Sequence, residues 1–299
     1  MKEDRILLKS STMFATAVAA ATRLRTQFAD AGVTINPASG LARLIDDSIR
    51  FAQNPIAEIS DERSVVRAML RGQYVDRIAR AAGVLHGYDD AKQHLWVLKK
   101  GALDPGSRTP SRAKDKLWEL ELLCILRDRG MFAEICEPDL VVKLSSASVA
   151  LACKRIYSPA NAESQLSSGV KQIERSAIPG LLAVCIDDLL PPYCIVAAPD
   201  PANAAAFLDN HNIDFLNRHQ ARLVKYIASN RISGVLVSSS APIRHPLFSG
   251  EIASSTQMTI WTTPACDQIQ LELVEELRRS IFESGTSAAW YPVAEPDWQ

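Results

Sequence analysis

The sequence predicts an α/β fold in which a mixed sheet is flanked by helices and preceded by an all-α region. Three observations predict it. Residues 1 to about 100 repeat apolar side chains at three-to-four spacing and give no strand signal. Residues 101–113 (GALDPGSRTPSRA) are rich in Gly, Pro and Ser, the composition of a boundary. Beyond Lys114, short apolar or alternating runs take turns with amphipathic helical stretches, the pattern of a layered α/β unit. The expected organisation is an all-α domain over 1–105, suited to oligomerisation, partner contact or DNA grip, and an α/β domain over 106–299.

In the first region, Phe14, Val18, Ala21 and Leu24 keep one helical stripe until Asn36-Pro37 interrupts it. The apolar run Met13 to Ala21 is short and Ala-rich, and its charged flanks make it a helix rather than a secretion signal. Leu41, Leu44, Ile45 and Ile49 form the next stripe, which Asn54-Pro55 ends. Ser60 and Asp61 look like a cap for a helix through Leu70, Tyr74, Ile78 and Ala82, and Gly83 stops it. Asp89 or Asp90 opens a short helix through Leu95 and Leu98.

In the second region, a helix is expected over 111–129, with Gly130 as its stop. Strands follow over 131–136, 139–144 and 149–154. The small polar segment 145–148 makes the last two a hairpin. Leu166, Val170 and Ile173 mark a helix over 162–177, which Pro179-Gly180 closes. A buried strand over 181–186, a further one over 193–198 and a long helix over 202–229 come next. Strands over 235–238 and 258–261 precede a final helix over 267–283.

Composition narrows the function. Hydrophobic residues make up 47% and charged residues 22%, and the net charge is -1. Any contact with nucleic acid must therefore come from a local basic face. Arg108, Arg112, Lys114 and Lys116 form a basic stretch whose default reading is a solvated linker. The six cysteines contain no C-x-x-C pair and read as free thiols of a cytoplasmic protein. The histidines lack zinc-ligand spacing, and His211 and His219 read as surface residues. No run approaches the ~20 apolar residues of a membrane span. Phosphate-loop, dinucleotide, serine-elbow and zinc-protease motifs are absent.

One constellation can carry chemistry. Phosphodiester hydrolysis needs a divalent cation, an oriented water and a positive group for the charge developing on phosphate. Asp139 begins one strand of the hairpin and Lys154 ends the other, so both belong at one end of the sheet. Glu119 lies on the preceding helix, and the Cys153 peptide carbonyl could complete a shell of hard oxygen ligands. Trp118-Glu119-Leu120-Glu121, Gly130, Pro138-Asp139, Cys153-Lys154-Arg155 and Lys171-Gln172 occur in order. That ordered set resembles the PD-(D/E)XK nuclease superfamily over residues 111–190.

The resemblance implies a restriction-endonuclease-like fold, nucleic acid as partner, DNA first, and Mg²⁺ or Mn²⁺ as cofactor. It also implies catalytic roles for Glu119, Asp139, Lys154 and Gln172, with Glu119, Asp139, the Cys153 carbonyl and, as a substitute, Glu121 as metal ligands. The departure is Ala152, where the superfamily places Asp or Glu. Either a helix acid takes over that role, or the domain is a lapsed nuclease that binds nucleic acid or protein.

Overall fold

The computed structural model describes residues 6–8, 13–53, 62–244 and 252–282. The Asn54-Pro55 break and the Ser60-Asp61 cap lie outside them. Four helices come first: α1 (Met13–Asp30), α2 (Gly40–Gln53), α3 (Glu62–Gly83) and α4 (Ala91–Lys100). Their apolar stripes meet in one core that includes Leu24, Phe28, Leu41, Ile45, Val75, Ile78 and Leu98. Helix α5 (Arg112–Asp128) joins that core through Ala113, Leu117 and Leu120. Its other side, Trp118, Leu122, Leu123 and Leu126, covers the sheet. An α5 buried on both flanks is why this stretch is so rich in leucine.

The strands are β1 (Ile6–Leu8), β2 (Phe132–Cys136), β3 (Asp139–Lys143), β4 (Ser148–Arg155), β5 (Gly180–Cys185), β6 (Val196–Ala197), β7 (Gly234–Arg244) and β8 (Ile252–Trp261). Seven of them follow the order β1-β8-β7-β5-β4-β3-β2, and β6 pairs with the far end of β7. The centre is parallel, β4 with β5 and β5 with β7. The margins are antiparallel, with β3 between β2 and β4 on one side and β8 between β7 and β1 on the other.

Helices α6 (Pro159–Ser176), α7 (Pro201–Ala228) and α8 (Gln268–Phe282) complete three layers. One sheet face packs on α5 and α8 through Leu140, Val142, Leu151, Leu181 and Leu236. The other packs on α6 and α7 through Ala152, Leu182, Val184, Val235 and Val237. Consecutive residues of β4 and β5 thus enter different cores, as the two-residue period of a strand requires. The continuous apolar run of β5 reflects burial on both faces.

One expectation for the N-terminal region is corrected. It contributes a strand, β1, which pairs with β8 at Ile6–Thr256 to Leu8–Ser254. Its core continues past residue 105 into α5. The Gly- and Pro-rich segment before α5 is not a loose linker: Arg108 is held by Asp188 and by the Leu190 carbonyl, both at 2.8 Å. Among the described residues, no helix is long and apolar enough to cross a membrane.

Candidate active site

The site is built by the segment that links α5 to β4. Helix α5 ends at Asp128, and two residues on the chain turns at Gly130, whose φ of +73° is easy for glycine and strained for other residues. The chain then enters β2, and Glu137 and Pro138 form the two residues between the paired ends Cys136 and Asp139. Beyond Leu140–Leu151, the β3–β4 ladder gives way to a side chain. The Asp139 carboxylate accepts the Cys153 backbone N–H at 2.8 Å. That bond fixes Asp139 against the strand end that carries Lys154.

Lys154 Nζ donates to the Cys153 carbonyl at 3.0 Å and stands 3.7 Å from Asp139 Oδ2. Its stem runs under Gly169 of α6, where even a β-carbon would come 3.2 Å from Lys154 Cγ. Glu119 reaches the same region from α5 and accepts a hydrogen bond from Lys116, one turn earlier on the helix. The side chains of Glu119, Asp139 and Lys154 are only 12–15% exposed, so water screens their charges poorly.

The electrostatics follow from this crowding. Burial raises the Glu119 carboxyl to about 7; Asp139 adds to the rise, while Lys116 and Lys154 oppose it. Burial also raises Asp139, against the pull of Lys154 and the Cys153 N–H. Burial pushes the Cys153 thiol well up, with both carboxylates adding, which leaves it inert as a nucleophile.

The structure therefore brings together Glu119, Asp139, Lys154 and the Cys153 carbonyl. Two further candidates lie elsewhere. Glu121 is two residues past Glu119, on the other side of the helix, and both its oxygens are taken by Arg77 at 2.7 and 2.9 Å. It belongs to a separate ion-pair network and cannot substitute as a ligand. Gln172 lies one turn beyond Gly169 on α6. The next residue, Ile173, already packs at the level of Gly180 and its strand partner Ala150. This puts Gln172 further down β4 than Lys154, with its amide oxygen buried and lacking a hydrogen-bond partner among the described residues. Ala152 is fully buried in the apolar core under α6, opposite Leu182.

Lys116 is the site residue the sequence reading left in a solvated stretch. Its i,i+3 spacing to Glu119 was the signal available. Arg108 and Lys114 of that same stretch also turn inward: Lys114 is completely buried, donates to the Ser107 carbonyl and lies 3.6 Å from Asp188.

Two carboxylates and a peptide carbonyl suit a hard cation such as Mg²⁺, which takes one or two carboxylates and keeps several waters. Among the described residues, no group of three or more His, Cys, Asp or Glu gathers to hold a metal, so the side-chain share of such a shell is at most two. Comparison with known proteins finds no matching family model, curated protein or solved structure.

Proposed function

We propose that this protein hydrolyses phosphodiester bonds of nucleic acid, DNA first, with Mg²⁺ or Mn²⁺, on a restriction-endonuclease-like scaffold. The observation that carries this reading is the convergence of Glu119, Asp139 and Lys154 at the end of β4, beside the Cys153 carbonyl. Glu119, Asp139 and that carbonyl are the groups that would hold the cation. When bound, it would withdraw charge from the phosphate and lower the pKa of water. Lys154 is the positive group beside the reacting phosphate, held in place by its stem under Gly169. A Glu119 carboxyl with a pKa of about 7 can give or take a proton near neutrality, the range that suits an acid–base group.

A second reading has its own observation. Lys116 already neutralises Glu119, and Lys154 lies against Asp139, so two ammonium groups balance two carboxylates. With alanine at 152, such a site has less reason to recruit a cation, and the domain would bind nucleic acid or protein without cutting. Incubation of the full chain with plasmid, linear DNA and RNA separates the two readings. Cleavage with Mg²⁺ or Mn²⁺ that chelator abolishes supports the nuclease. Binding without cleavage under every condition supports the second reading.

A further inference from the structure

The basic stretch that leads into α5 divides in two. Arg108 and Lys114 turn inward to Asp188, but Arg112 stays exposed. It is the first residue of α5, where the positive end of the helix dipole disfavours a cation. The end of α4 lies against it. A β-carbon on Gly101 would come 2.4 Å from that of Ala113, so the last turn of α4 is seated on the first turn of α5. Lys99 and Lys100 therefore share one corner of the molecule with Arg112.

Helix α4 (AKQHLWVLKK) contains no acidic residue. Leu95 and Leu98 bury one side of it, and Lys92, Trp96 and Lys100 are exposed at four-residue spacing on the other. Trp96 is 47% exposed, and the Lys100 ammonium lies 3.2 Å from the centre of its ring. Among the described residues, none of these lysines, nor Arg112, pairs with a carboxylate. The acids nearby in sequence are engaged: Asp90 with His94 at 3.1 Å, Asp104 with the Gly106 N–H at 2.9 Å, and Asp115 with the Tyr157 hydroxyl at 2.8 Å. Asp89 lies beyond the far end of α4. Lysines at a helix C-terminus match its dipole, which accounts for Lys99 and Lys100 but not for an exposed tryptophan or for Arg112. The patch adjoins the candidate site. Arg112, Lys116 and Glu119 follow at i, i+4 and i+7 along one side of α5, which puts Glu119 about 10 Å from Arg112. Burial and then the Lys116 charge hold His94 below its ordinary pKa, so α4 runs beside that row.

We propose that this corner binds single-stranded nucleic acid, with one base stacked on Trp96 and phosphates held by Lys99, Lys100 and Arg112. An indole stacks on any base, and only an unpaired base offers its face. Lys100 takes one face of the ring and the base takes the other. Cations without carboxylate partners suit a polyanion, and a strand held here leads along α5 toward Glu119. The proposal rests on the reading that nucleic acid is the partner, but not on cleavage, since stacking and phosphate contacts require no metal.

The test is fluorescence anisotropy of a labelled DNA dodecamer, single-stranded or in duplex form, titrated with the full chain in chelator. Saturable binding is expected, tighter for the single strand. Trp96→Ala should weaken it about tenfold, the usual loss for one stacked base, while Trp96→Phe keeps most of it. Both variants should melt as the wild type does, since the ring lies outside the helical core. Removing three charges with Lys99→Gln, Lys100→Gln and Arg112→Gln should lower the slope of log affinity against log salt by about 2. If no single strand binds, if the duplex binds more tightly, or if Trp96→Ala binds as tightly as the wild type, the assignment is wrong. Binding of phosphatidylserine vesicles in place of DNA would overturn it too, and make the corner a membrane contact. Cleavage by the wild type with unaltered strand binding by Trp96→Ala would remove this proposal and leave the nuclease standing. Trp96-dependent binding without cleavage would do the reverse.

Discussion

Glu119 combines burial with two nearby ammonium groups and one carboxylate, and its proton affinity has consequences for both stability and chemistry. Its folded pKa of about 7 lies above the ordinary 4.5, so between those values the folded chain holds a proton that the unfolded chain has released. Its contribution is fully present below pH 4.5 and is lost as pH rises through 7. Chemical denaturation across pH 4.5–8 should show wild-type stability falling relative to Glu119→Gln. Equal slopes for both proteins would contradict the burial assigned to this side chain. A divalent cation must displace the same proton, so metal-dependent cleavage should climb as pH passes through 7. Lys116 holds Glu119 from one turn earlier; Lys116→Met should raise the apparent affinity for Mn²⁺ several-fold, read by titration of the binding.

The elements make these residues meet, and they also show where the sequence was readable. The α5 helix, the β3–β4 hairpin, α6 and β5 were legible because each is encoded locally: a leucine-rich period, a small polar turn, Gly130 and Pro179-Gly180 as stops. Asp139 and Lys154 were legible for the same reason, being opposite ends of one hairpin. The extent of β7 was not. The strand expected over 235–238 stops short of the polar residues Ser239 and Ser240, yet β7 runs on to Arg244 and Ser239 is fully buried. Ser239 donates to the Leu208 carbonyl at 3.3 Å, and the Ser240 N–H donates to Asp187 at 2.8 Å. Those partners come from distant segments, which no local pattern reveals. The fate of Glu121 was hidden likewise, since Arg77 lies 44 residues away.

Arg77 ties α3 to α5 and to the turn after β5, and its removal takes the bidentate partner from Glu121, 12% exposed, and leaves Asp187, 9% exposed, with Arg155 and the Ser240 N–H alone. Although burial disfavours the charge on Asp187, Arg77 and Arg155 outweigh it and hold its carboxyl below the usual range. Arg77→Met should therefore cost about 3 kcal/mol or more, measured by urea unfolding at pH 7. A loss under 1 kcal/mol would mean that the pairing is incidental. In Gly169, a β-carbon would lie 2.5 Å from Leu182 Cδ2, inside a packed core. Gly169→Ala should cost about 1–3 kcal/mol and shift Lys154.

At the scale of the molecule, the helical region and the sheet share helix α5, which is buried in the cores of both. Leu117 and Leu120 are fully buried by the N-terminal helices, and Glu121, Asp187 and Asp188 find cations from both sides of residue 105. Full-length protein should unfold in a single transition with coincident fluorescence and circular-dichroism curves. A fragment of 106–299 should aggregate or melt far lower, because it bares the outer face of α5. Two separated transitions would restore the picture of autonomous domains. The composition of 101–113 misled here because Gly and Pro mark irregular backbone, and irregular backbone can be pinned as firmly as a helix. Arg108 is what pins it.

The claim that the end of β4 is a metal-dependent phosphodiesterase site is tested most directly by cleavage of supercoiled plasmid with Mn²⁺, comparing wild type with Asp139→Asn and Lys154→Met. The account predicts nicking or linearisation by the wild type and a drop of at least about a hundredfold in each variant, with circular dichroism unchanged. Cleavage at wild-type rate by either variant would contradict it.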